Sequence, residues 1–248
     1  MRRLQTDYID LYMLHWPIND NSIRHFSNNE EIISNPPHLE ETVDTLMELK
    51  REGKIRHIGV SNHGKYQMKE LEHLNLPFVT NELAYNLLSR AIEDELLSYC
   101  KMTNVGVIGY MPLQQGLLTG KYRSLSDVKP MQARSRHFHH SRGEGSRHGE
   151  DGAEDEIKVA IKQIEQIAKE LDVHIIQLSL AWAIAKEGIS TIIAGSRTTD
   201  HLKLNKHGAN LQLSSEILTR LDNITEPVLR KLGTNPDYYE NRKHSRIF

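Results

Sequence analysis

The chain has 248 residues, 38% hydrophobic and 26% charged, with a formal net charge of −2. That composition suits a globular chain able to bury a sizeable core, and its charge excludes recruitment to nucleic acid by the molecule as a whole. One cysteine, Cys100, rules out an intrachain disulfide and makes a reducing, cytoplasmic setting the default. No run approaches the ~20 apolar residues that a membrane helix needs, and MRRLQTDYID holds no signal-peptide apolar stretch.

In chain order, YIDLYMLH (8–15) reads as a mostly buried strand, and residues 18–37 as a polar loop ending in a proline pair. Leu39, Val43, Leu46, Met47 and Leu49 have helical spacing, with Gly53 as a stop. Strand 55–61 precedes a helix over 64–74; strand 76–82 precedes a helix over 90–102; strand 105–110 follows. Residues 113–152 show no periodicity and read as a long flexible loop. Ile157, Ile161, Ile164, Ala168 and Leu171 mark an amphipathic helix, 175–187 a more apolar one, and 189–195 a fifth strand. A short helix over 198–208 comes next, then one capped by Ser214 or Ser215. The C-terminal tail is drawn as 226–248; its stretch LGTNPDYYENRKHSRIF (232–248) shows no periodicity and either covers a pocket or frays.

Strands alternating with helices predict βα units and a parallel sheet. Five strands cannot close an eight-stranded barrel, and an open doubly wound sheet is the alternative. That alternative predicts a glycine-rich turn after an early strand. GEGSRHG (143–149) places His148 where the last glycine belongs and follows no strand, so it is not a dinucleotide fingerprint.

The stretches at the strand ends carry chemistry. DYIDLYMLHWP, GKIRHIGVSN, NELAYNLL, GYMPLQQGLLTGKY and IIAGSRTTDHLKLN occur in that order, and together they resemble the aldo-keto reductase superfamily from residue 3 to about residue 225. The resemblance implies an α/β fold, an incomplete (β/α)8 TIM barrel with its first three strand units missing, over residues 1–225. It also implies NADP(H) bound in extended form, and hydride transfer to an aldehyde or ketone or from an alcohol.

Residue by residue, the resemblance makes His15 the active-site histidine, which hydrogen-bonds the substrate carbonyl oxygen, and places Trp16 in the substrate pocket. Ser61 and Asn62 match the pair that bonds the nicotinamide carboxamide, Glu82 stands where the family has glutamine, and Tyr110 matches the ring that stacks on nicotinamide. Leu113, Gly116 and Leu117 match the pyrophosphate segment. Ser196, Arg197 and Thr198 fit a 2′-phosphate, which favours NADP. His201 and Asn205 lie at the adenine end, where His201 and Leu204 both depart from the usual residues. An ionised Glu82 only accepts hydrogen bonds and adds negative charge beside the nicotinamide.

Taken singly, each residue has a plainer reading. A lone histidine is more often a core residue, Trp16 and Tyr110 suit packing, Ser61-Asn62 suits a turn, and Arg197 suits a helix start. The stretch 134–150 holds four arginines and four histidines. A mobile basic loop folding over the cofactor is the preferred reading; nucleic-acid binding through 134–148 and a metal site are rivals. No metal is expected. In the resembled family the general-acid tyrosine, its lysine and an aspartate precede the strand of DYIDLYMLH, and only seven residues stand before Tyr8 here. The expectation is an N-terminally truncated chain, inactive alone, whose open edges an oligomer or chaperone covers. A non-catalytic module that binds NADP or a partner is the alternative.

Overall fold

The computed structural model describes residues 2–248. Five strands, β1 (Ile9–Leu14), β2 (Ile55–Ser61), β3 (Phe78–Ala84), β4 (Gly106–Tyr110) and β5 (Ile189–Ile192), form one parallel sheet in chain order. Helix α3 (Leu39–Arg51) links β1 to β2, α4 (Lys65–His73) links β2 to β3, and α5 (Leu96–Met102) links β3 to β4. Helices α6 (Glu154–Glu170) and α7 (Ile175–Ala185) precede β5; α8 (Thr199–Asn210) and α9 (Ser215–Leu232) follow it. The expected five strands and flanking helices are all present, and the sheet is open: β1 and β5 pair on one side only.

Position in the sheet decides burial. Ile58 and Val60 of β2 and Val107 of β4 are fully buried, because each lies between two strands and under helices. The expectation of a mostly buried first strand is corrected: no residue of β1 is buried, and Asp10 and Tyr12 are exposed. As an edge strand, β1 has solvent where a neighbour would sit. Tyr12 is 44% exposed and points to solvent rather than into the core.

Helix α6 buries Ile157, Ala160, Ile164, Ile167 and Ala168 along one stripe, and α9 packs against it with Ile217, Leu221, Val228 and Leu232 buried. Helix α7 is apolar all round and sits inside, with Trp182 stacked on Tyr85 at 5.2 Å.

Four further expectations need correction. Residues 18–37 hold two short helices, α1 (Asp20–Phe26) and α2 (Glu30–Ser34), capped by the Asn19 and Asn29 side chains. The helix expected over 90–102 breaks before α5 into a 3-10 turn, Ala91–Glu93. There Arg90 donates to the Asp222 carbonyl and Thr225 Oγ1, and the Ala91 amide donates to the Tyr238 hydroxyl. These distant partners outweigh local helix continuity. The stretch 113–152, expected to be a flexible loop, is packed: Arg136, His137 and Phe138 are buried. Finally, the boundary drawn at residue 225 falls inside α9, and the tail beyond that helix is folded against the body. Arg136 donates to the carbonyls of Leu232, Asn235 and Asp237, which ties the two segments together.

Candidate active site

Parallel strands bring all their C-terminal ends to one side, and His15, Ser61, Asn62 and Tyr110 lie at or just beyond those ends. Asn62, just past β2, knots three strand ends. Its Nδ2 donates to the His15 carbonyl (3.1 Å) and Ser61 Oγ (3.0 Å), and its Oδ1 accepts from the Tyr110 hydroxyl (2.8 Å). Its backbone amide donates to the Glu82 carbonyl at 2.9 Å, which also accepts from Ser61 Oγ at 3.1 Å. The Asn62 backbone is left-handed, φ 58°, a conformation that asparagine tolerates better than most residues. Ser61 and Asn62 are buried. Both amide protons of Asn62 and the hydroxyl proton of Ser61 are therefore spent inside the protein.

His15 is exposed, and its imidazole makes no hydrogen bond among the described residues. The Glu82 carboxyl is half-buried, and burial raises its pKa above the ordinary value against the opposing pull of His15. Burial also raises the Tyr110 phenol. Trp16 is clamped: the Arg246 guanidinium lies 3.9 Å from its ring centroid, and the Phe26 ring is 5.4 Å away.

The C-terminal tail crosses this face. Gln115 Nε2 donates to the Tyr239 hydroxyl, which lies 3.5 Å from Met111 Sδ. Gln67 holds the tail end, with Nε2 donating to the Arg246 carbonyl at 2.7 Å and Oε1 accepting from the Phe248 amide at 3.2 Å.

Beside the knot runs a groove of about 700 Å³, between residues 111–121 and the turn from β5 into α8. Leu113, Gly116, Arg197, His201, Leu204 and Asn205 line it, together with Gln115, Lys121 and His174, which the sequence reading did not name as site residues. Backbone at Gln114, Gln115 and Gly116 has φ of 42°, 52° and 97°. Leu117 does not reach the groove; its side chain is buried in the core. Ser196 Oγ accepts from Asn205 Nδ2 at 2.9 Å, and Thr198 caps α8 by accepting from the His201 amide at 3.2 Å. Arg197 is exposed and makes no ion pair among the described residues.

No carboxylate lines the groove, while Lys121 and Arg197 do. Asn205 Oδ1 receives no donor among the described residues and remains an acceptor for an amino group. The residues present therefore fit the phosphates and purine of a dinucleotide. Among the described residues, no group of three or more His, Cys, Asp or Glu side chains is placed to hold a metal.

The basic stretch does not present a continuous surface. Arg136 is internal, Arg142 pairs with Glu154 at 2.6 Å, and Arg147 with Glu240 at 3.1 Å. The reading of 134–150 as a mobile loop over the cofactor is thereby corrected, because tail carbonyls hold Arg136 while Glu154 and Glu240 hold Arg142 and Arg147. Of the histidines weighed as metal ligands, His137, His139 and His140, the first is fully buried. Its Nε2 lies 2.9 Å from the Leu88 carbonyl, and its Nδ1 3.1 Å from Gln114 Nε2. Only the cluster itself was legible in the sequence, not its direction.

No described helix is long and apolar enough to cross a membrane. Protein tas of Escherichia coli (strain K12) is 33% identical over 232 residues, 90% of this chain and 63% of that protein. The NADH-specific methylglyoxal reductase of the same strain is 31% identical over 236 residues, 93% and 63% of the two chains. An aldo-keto reductase from Klebsiella pneumoniae, solved in complex with NADPH, superposes with a TM-score of 0.61 at 27% identity, covering 100% of this chain and 64% of that one. The chain thus spans under two thirds of the length of these relatives. The aldo/keto reductase family model matches residues 1–226. That match covers most of the sequence, and the chain belongs to the aldo/keto reductase family.

Proposed function

We propose that this chain carries the NADP(H)-binding part of an oxidoreductase that moves hydride between the cofactor and an aldehyde, ketone or alcohol. The observation that carries the reading is the carboxylate-free groove from Met111 to Arg197, which begins one residue from Tyr110. When bound, NADPH supplies the hydride. Arg197 pairs with the 2′-phosphate, the residue 113–117 backbone and Lys121 face the pyrophosphate, and Asn205 Oδ1 accepts from the adenine amino group. The Tyr110 ring, fixed through its hydroxyl by Asn62, covers one nicotinamide face. His15 donates to the carbonyl oxygen as charge develops there.

Nothing among the described residues hydrogen-bonds the His15 imidazole, so proton delivery lacks a positioned relay. Such a relay contributes ~10²–10⁴-fold, and we expect slow turnover from this chain alone. The unpaired edges of β1 and β5 are where we place an oligomer or chaperone contact. A second reading, a non-catalytic cofactor-binding module, draws on the Asn62 knot, which already uses the donors a carboxamide needs.

Fluorescence titration with NADP+, NADPH and NAD+ tests the proposal. We expect NADP(H) to bind in preference to NAD+, and Arg197→Ala to weaken NADP+ by about tenfold while leaving NAD+ unchanged. Absence of binding by the intact chain would overturn it. Turnover of simple aldehydes separates the two readings.

A further inference from the structure

A second cavity, of about 210 Å³, opens against Trp16, the residue after His15. Three guanidinium groups face it, from Arg134, Arg147 and Arg246, with Phe26 and Tyr239 as aromatic walls and His25 on the rim. No carboxylate lines it. Two carboxylates lie behind. Asp237 takes Nε and Nη2 of Arg246 at 2.8 and 2.7 Å; Glu240 Oε1 lies 2.7 Å from His25 Nδ1 and 3.1 Å from Arg147 Nη1. Donors are left over. Arg134 uses only Nε, toward the Met131 carbonyl at 3.1 Å, and neither Nη1 of Arg246 nor Nη2 of Arg147 has an acceptor among the described residues. Burial holds the His25 imidazole below its ordinary pKa despite the Glu240 bond, so the permanent positive charge comes from the arginines.

We propose that this cavity is the subsite for an anionic group of the substrate, and that the chain serves short aldehydes or ketones ending in a carboxylate or phosphate. The inference rests on the oxidoreductase reading and supplies its substrate class. The cavity is smaller than the ~300–1,000 Å³ typical of a whole ligand, so it takes one end of a molecule. The His15 and Trp16 ring centroids are 6.3 Å apart. His15 does not line the cavity, so an anion there and a carbonyl at His15 bracket Trp16, a span that a short chain can cover. Forked guanidinium groups bond carboxylate or phosphate oxygens in pairs.

The test compares matched probes on the intact chain, without cofactor and with NADP+: succinic semialdehyde against butanal, and glyceraldehyde 3-phosphate against glyceraldehyde. Quenching of Trp16 fluorescence reports binding, with Trp16→Phe assigning the signal. We expect at least one anionic probe to bind about tenfold more tightly than its neutral partner. Preference for one pair identifies carboxylate or phosphate as the group. Arg134→Ala, which breaks no ion pair, abolishes that preference and leaves the NADP+ dissociation constant unchanged. Equal binding within both pairs, or anion preference untouched by Arg134→Ala and Arg147→Ala, overturns the proposal. Anion-selective quenching without any NADP+ binding upholds the anion subsite while removing the oxidoreductase reading beneath it.

Discussion

Asp237 and Arg246 form a doubly bonded ion pair, with side chains 0% and 2% exposed, that closes the C-terminal tail into a loop over Trp16. The Arg246 amide adds a third bond, to Asp237 Oδ2 at 3.0 Å. Burial works against the Asp237 carboxylate, but the Arg246 bonds outweigh it and hold its pKa below the ordinary range. A carboxylate depressed in this way stabilises the fold above its unfolded pKa, and that stability is lost as pH falls through the folded one.

Removing one partner leaves the other charge buried and uncompensated, a cost of about 3–5 kcal/mol. Arg246→Leu is therefore expected to lower the denaturation midpoint sharply and to open the tail to protease. Arg246→Leu with Asp237→Asn is expected to recover much of the loss. An Arg246→Leu chain as stable as the parent would show that the tail is not latched by this pair.

Acid destabilisation is the second expectation. Burial lowers His137 to about 3, and His63 and His148 to about 4 each. In the unfolded chain a histidine titrates near ~6.5. Between those values the unfolded state binds more protons than the folded one, so stability falls as pH falls from about 6.5 toward 4. Each such histidine contributes a slope of up to about 1.4 kcal/mol per pH unit. His137→Gln should flatten the curve measured by urea denaturation at stepped pH. An unchanged slope would exclude His137 as a contributor.

Glu82→Gln separates charge from shape at the nicotinamide end. The Glu82 pKa is raised by burial, so its ionisation opposes folding increasingly as pH rises through the folded value. The glutamine variant is expected to be more stable than the parent at neutral pH and indistinguishable from it in acid. Loss of the negative charge should also shift the NADP+ to NADPH affinity ratio toward NADPH. Titration with both cofactor forms at pH 8 checks this; an unchanged ratio means that the carboxyl is neutral or remote.

Asn62→Ala removes the knot and forces alanine into a left-handed backbone. The combined loss is about 2–4 kcal/mol. Asn62→Gly loses the same three side-chain bonds but relieves the backbone component, so the difference in their thermal midpoints reports the left-handed strain. Equal midpoints for the two variants would assign the whole effect to those bonds.

Much of this fold is legible locally. The apolar stripe of α6 and the β-branched runs of β2 and β4 announce their elements, because periodicity in sequence is periodicity in burial. The strand-end residues His15, Ser61, Asn62, Tyr110 and Arg197 were readable as chemistry because parallel strands must place their C-terminal ends together. Tertiary structure alone decided the rest. Arg136 meets carbonyls about a hundred residues away, so nothing near residue 136 signals that a basic stretch is internal. Arg90 and Tyr238 break a helix that local propensity would continue. The tail's cover over Trp16, and the arginine-lined cavity beside it, arise where residues 134–147 meet residues 237–246. Pattern determines which face of an element is apolar. Which distant segment supplies the partner of a buried charge is settled only when the chain has folded.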